Sequence, residues 1–159
     1  MTRLQGDVPD LDQIILTYLN ESLRTFRIGC LLSSTICLGC ASEKALLLLI
    51  AAYADSLPES RRGKFRRETD GRMIKRQFDE FRKILESDLR ARLPRELEDG
   101  LDVELTALFD FIRQQRNDAG HPTGKTFERE RAYANLMVFP VYVRKIYALM
   151  KWLAANPAP

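Results

Sequence analysis

Apolar residues recur along this chain at three- and four-residue spacings almost from end to end, the pattern of amphipathic helices sharing a core. From Pro9-Asp10 onward, Leu11, Ile14, Ile15, Tyr18, Leu19 and Leu23 fall on one helical face. The next stretch, about 28–57, is apolar around most of its circumference, which marks a central helix, and Pro58 ends it. Its small residues Gly29, Ser33, Gly39, Ala41 and Ala45 would let neighbouring helices approach closely. The polar, basic run 58–70, with Gly63 inside it, reads as a loop. A third helix is predicted over about 71–92 on the stripe Met73, Ile74, Phe78, Phe81, Ile84, Leu85 and Leu89, and Pro94 opens a new turn or helix. A fourth covers about 101–118, with Leu101, Leu105, Leu108, Phe109 and Ile112 inward. Ala-Gly-His-Pro-Thr-Gly at 119–124 then breaks or bends the chain. A fifth helix is predicted over about 126–154, with Thr126 as its N-cap and a kink at Pro140. There is no strand pattern, internal repeat or low-complexity tract. The expected architecture is all-α: one domain over 1–159, with a core of about 10–155.

Composition fits that picture. Of 159 residues, 45% are apolar, enough for an ordinary core, and 30% are charged. The net charge of +3 does not by itself make a nucleic-acid binder, but its distribution is uneven. Segment 61–76 holds eight Arg or Lys against two acids, a local +6 that leaves the remainder at about −3. Such a block can hold a polyanion through phosphate contacts, or it can be a solvated loop and helix face. The first thirteen residues carry Asp7, Asp10 and Asp12 instead of the basic flank and apolar run of a secretion signal. In the most apolar stretch, Glu43 and Lys44 interrupt the run, so neither half reaches the roughly 20 residues of a membrane span. A cytoplasmic protein without a membrane partner is expected. The three cysteines, an odd and closely spaced set, fit a reducing compartment better than a disulfide framework.

Four local patterns bear on chemistry. Cys37-Leu38-Gly39-Cys40 is a CxxC, but no second CxxC accompanies it and the surroundings are apolar, so small buried hydrophobes are expected. Ala119 to Thr126 satisfies a relaxed phosphate-loop pattern, yet a helix precedes it where a strand is required, so the match is accidental. Lys125 would still contact phosphate if it stands beside a phosphate site. Glu43 lies in the most apolar helix, where a carboxylate is costly unless paired; it faces a cleft or internal partner, or else snorkels to solvent. The fourth pattern is the run Arg113-Gln-Gln-Arg-Asn-Asp-Ala-Gly-His-Pro, polar at the end of an apolar-striped helix and holding the chain's single histidine. Histidine suits proton transfer near neutrality, and arginine is a permanent cation whose flat fork matches phosphate oxygens. On an unbroken helix Arg116 and His121 would stand about 140° apart. A turn at Gly120 and Pro122 would alter that, and Asn117 would orient either group or bind phosphate.

At these residues the chain resembles the HEPN family, whose mark is Arg, a polar residue and then His, with four to six residues between Arg and His. Arg116-Asn117-Asp118-Ala119-Gly120-His121 has four between. Phe111-Ile112-Arg113 before it, Pro122-Thr123-Gly124 after it, and Gly39-Cys40-Ala41-Ser42-Glu43-Lys44-Ala45-Leu46 upstream look similar too. The resemblance implies a HEPN-like bundle of four to five main helices. It implies a metal-independent endoribonuclease without a cofactor, leaving a 2′,3′-cyclic phosphate, with Arg116 and His121 catalytic and Asn117 supporting them. Arg113, Lys125 and Glu43 are the expected substrate-binding residues. Active members act on RNA as homodimers that gather two Arg/His pairs in one cleft, often as toxins beside an antitoxin protein or in defence. The alternative is a non-catalytic relative that binds a nucleotide or a protein.

Overall fold

A computed structural model describes residues 2–122, 124 and 126–157, and among these every regular element is helical. The short α1 (Thr2–Asp7), which the sequence pattern did not indicate, places Leu4 against the core, with Val8 just beyond it. Helix α2 (Gln13–Arg27) starts where Asp12 Oδ1 accepts from the Ile14 and Ile15 amides, at 2.8 and 3.3 Å. That satisfies donors a helix start otherwise leaves bare. It buries Ile15, Leu19 and Ser22.

Helix α3 (Leu31–Ser56) begins at Leu31 and not at 28, because Gly29 turns the chain at φ +80. It is long and apolar enough to cross a bilayer, yet here half of its most apolar window is buried among other helices. Ser22 Oγ donates to the Ser34 carbonyl at 2.8 Å and Asp12 pairs with Lys44 at 3.6 Å, so α2 and α3 run antiparallel.

The basic segment is a helix, α4 (Glu59–Thr69), which corrects the loop expected at 58–70. Pro58 lies just ahead of its first turn, Glu59 meets the positive end of its dipole and Arg66 and Arg67 its negative end. Phe65 and Thr69, one turn apart, are its buried residues. Helix α5 (Ile74–Ile84) continues through a wider π turn (Leu85–Leu89) and a 3₁₀ turn (Arg90–Arg92). A one-turn α6 (Arg95–Glu98) and a second π segment (Asp102–Ala107) lead into α7 (Leu108–Gly120). Buried Lys145 fixes this connector by donating to the Leu97 and Asp99 carbonyls at 3.2 and 2.7 Å, beside Glu104 at 3.0 Å. Helix α8 (Arg129–Ala155) runs through Pro140 without interruption. Its N-cap residue is Glu128 and not Thr126, and no side chain caps it.

The long rods α2, α3, α7 and α8 form the bundle. Gly39 and Glu43 of α3 face Arg116 and Arg113 of α7, so those two run antiparallel. The Tyr142 hydroxyl donates to the Ser42 carbonyl at 3.0 Å, tying α8 to α3. Phe78, Phe109 and Tyr142 stack through the middle, with Phe78 and Phe109 centroids 4.4 Å apart. Tyr53, Phe65 and Phe81 close the opposite end of α3.

Candidate functional site

The polar end of α7 lies against the N-terminal half of α3. Contact is close because residue 39 is glycine: a Cβ there would overlap Cβ and Cγ of Arg116 and stand 3.6 Å from its Cδ. The aliphatic stem of Arg116 thus rests on bare backbone, and its head has two partners. Its Nε is 3.6 Å from Glu43 Oε1 and its Nη1 donates to Asn117 Oδ1 at 3.3 Å, while its charge also acts on the Cys40 thiol. The Arg116 side chain keeps 38% of its exposure, whereas Glu43 keeps 17%. The guanidinium therefore meets solvent with a carboxylate behind it.

Asn117 is the junction of the group. Its side chain holds Arg116, and its carbonyl accepts the His121 amide at 3.1 Å, the last hydrogen bond of α7. The helix stays intact through Gly120, later than the break expected from Ala119 onward, and His121 leaves it in an extended conformation (φ −104, ψ 140). The imidazole is exposed. Arg113 is turned inward, 13% exposed and bound to Asp110 at 3.1 Å, with Glu43 within reach of its field. Direct side-chain contact thus unites Arg116, Asn117 and Glu43, while His121 joins through its backbone. Lys125 lies outside the described residues.

Burial pushes the Glu43 carboxyl up, and Arg116, then Arg113, pull it only part of the way back. With its pKa raised in the fold, Glu43 keeps a proton that the unfolded chain has released, so stability falls as pH rises through that window. Replacing Glu43 with Gln is expected to flatten this fall as pH rises above 4.5, read as the change in urea midpoint. Superimposable pH profiles for the two proteins would contradict the assignment.

The CxxC thiols sit on the same helix. Both are half-buried, less than the full burial expected, and both are raised in pKa, chiefly by burial. For Cys37 the neighbouring Cys40 adds to the rise; for Cys40, Glu43 adds and Arg116 opposes. Thiolate is the reactive form, so Ellman's reagent is expected to titrate exposed Cys30 first and the other two at least several-fold more slowly. Equal rates at all three thiols would refute this. Among the described residues no three His, Cys, Asp or Glu side chains cluster as metal ligands.

The basic block lies elsewhere. Arg62 donates to the Asp55 and Leu57 carbonyls at the C-terminus of α3, and Arg66 pairs with Asp55 at 2.7 Å. Lys75 pairs with Asp79. Several of these cations therefore close helix ends or pair with carboxylates, and Asp55, which Arg62 and Arg66 meet, is about 24 Å of helix rise along α3 from Gly39. The phosphate-loop-like stretch follows helix α7, with no strand among the described residues.

The sequence reading marked Gly39 as a point of close approach but did not name Arg116 as its partner, and it missed Cys40 as a neighbour of the guanidinium. Comparison with protein-family models, curated proteins and solved structures found no match for this chain.

Proposed function

We propose that this chain is an RNA-cleaving helical protein that works by acid–base chemistry at a phosphate. More particularly, we propose a HEPN-type endoribonuclease. The reading rests on the motif and on one observation: Asn117 links the Arg116 guanidinium, by its side chain, to the backbone of the single histidine. A permanent cation with a carboxylate beside it is thereby tied, through Asn117, to the backbone of an exposed histidine five residues on.

In the proposed step His121 removes the proton from a ribose 2′-hydroxyl. The freed oxygen attacks the adjacent phosphorus, and Arg116 offsets the charge that builds on the phosphate oxygens. The bond to the 5′-oxygen breaks, and that oxygen takes up a proton. The products are a 2′,3′-cyclic phosphate and a 5′-hydroxyl, and no metal enters. Asn117 and Glu43 hold Arg116 in position. Two copies are proposed to pair so that two Arg/His sets share one cleft, in a cytoplasmic toxin or defence protein.

The test is incubation of the purified chain with RNA in EDTA, beside the same sequence with a single 2′-deoxynucleotide at the cut. Cleavage of the first only, with a cyclic phosphate end, is the expected result. Cutting at the deoxy position, or no cutting of any RNA, would end the proposal.

A further inference from the structure

Another group of residues stands at the same end of the bundle. The C-terminus of α2, the start of α3, Thr126 with Phe127 and the start of α8 meet there. The Phe26 and Tyr133 rings lie 6.2 Å apart, inclined by 31°. The Arg129 guanidinium covers Phe26 at 4.3 Å and donates to its carbonyl at 3.2 Å, which fixes the ring. Phe26 is half-buried, but Tyr133 remains 53% exposed, a large aromatic face presented to solvent. Beside this stack is a groove of about 530 Å³ lined by Gly29, Cys30, Leu32, Ser33, Thr126 and Phe127. Leu31, also in its lining, is about 12 Å of helix rise along α3 from Gly39, where Arg116 rests.

We infer that Tyr133, backed by Phe26 and Arg129, is a stacking platform for an unpaired base of a single-stranded RNA. Rigid exposed aromatics beside an arginine suit this ligand, because every base offers a π face and its phosphate an anion. Exposed Arg27 adds positive charge at the end of α2, where Arg24, 78% exposed, is paired with Glu21 at 3.8 Å. The groove receives the neighbouring nucleotide, and the strand continues toward Arg116. The platform depends on the ribonuclease reading only for naming RNA as the ligand, and it is a binding site, not part of the proton transfers.

The experiment measures fluorescence anisotropy of a labelled single-stranded octaribonucleotide against full-length His121→Ala protein, so that the probe survives. Tyr133→Ala and Tyr133→Phe are compared in that background, with helical content and Tm recorded. Tyr133→Ala is expected to weaken binding roughly 5- to 100-fold, and Tyr133→Phe to stay within about twofold. Unchanged affinity in Tyr133→Ala would overturn the platform, as would failure of the parent to bind the probe. A fall in particle mass by light scattering at constant affinity would instead make the patch a protein interface. Cleavage by the unmutated chain is scored separately. Tyr133-dependent binding without any cleavage sinks the ribonuclease and keeps the platform; cleavage with Tyr133-independent binding does the reverse.

Discussion

If the ribonuclease proposal holds, substituting His121 by Ala is expected to lower RNA cleavage by roughly 10²–10⁴-fold, the usual contribution of a positioned acid–base group. The same change should leave the urea midpoint within experimental scatter. The His121 side chain is exposed, and its structural bond, from its amide to Asn117, is a backbone contact that alanine keeps. Arg116→Ala is expected to cost about 10²–10³-fold through lost stabilisation of the phosphate charge. Unlike the histidine change, it also withdraws the main cation facing the half-buried Glu43 carboxylate, the largest influence pulling that group back toward its ordinary pKa. Its loss therefore steepens the fall of stability with pH, opposite to the effect of Glu43→Gln. Lysine at 116 keeps charge but not the fork that meets Glu43 and Asn117 together, so partial activity at best is expected. Equal RNA cleavage by parent, His121→Ala and Arg116→Ala would mean that the activity belongs to another site or a contaminant.

The long rods were legible because they bury enough of themselves to leave a period. Helix α8 buries Phe139, Val143 and Ile146, and α3 buries a broad band from Ser34 to Ser56 while Leu32, Leu47 and Asp55 stay exposed. Helix α4 escaped the same reading since only Phe65 and Thr69 face inward; one apolar residue among those two sets no stripe, and its charge resembled that of a solvated loop. The start of α3 was misplaced because Gly29 looked like one more small residue in an apolar run. Only its positive φ separates a turn from a helix there, and backbone torsion leaves no hydrophobic signature. The site divides along similar lines. Arg116, Asn117 and His121 are close in sequence and their residue types announce chemistry. Glu43 is read from sequence either as paired or as reaching solvent, and Arg116 stands 3.6 Å from it across the bundle. Which α3 residue would carry the Arg116 stem depends on how two helices rotate against each other. Helical periodicity defines faces without saying which faces meet.

Gly39→Ala follows from that rotation. A methyl at residue 39 overlaps both Cβ and Cγ of Arg116, and the first of these is fixed to the α7 backbone, so no change of rotamer clears it. Helix α7 must move away from α3, at a cost of about 1–3 kcal/mol or more for overpacking. A solvent-facing Gly→Ala in a helix would instead gain up to about 1 kcal/mol, so the sign of the change is itself diagnostic. Moving α7 carries Arg116 away from Glu43, and the guanidinium and the Asn117 carbonyl that receives His121 shift together. If the ribonuclease proposal holds, kcat is expected to fall by at least tenfold even where the protein is fully folded. A double-mutant cycle with Arg116→Gly separates the clash from general disruption, because that variant removes both overlapping carbons. Gly39→Ala should cost clearly less in the Arg116→Gly background than alone, a coupling of at least about 1 kcal/mol in chemical unfolding. Additive effects would show that the two helices do not meet at this pair. The cradle under Arg116 would then be lost as a basis for the site.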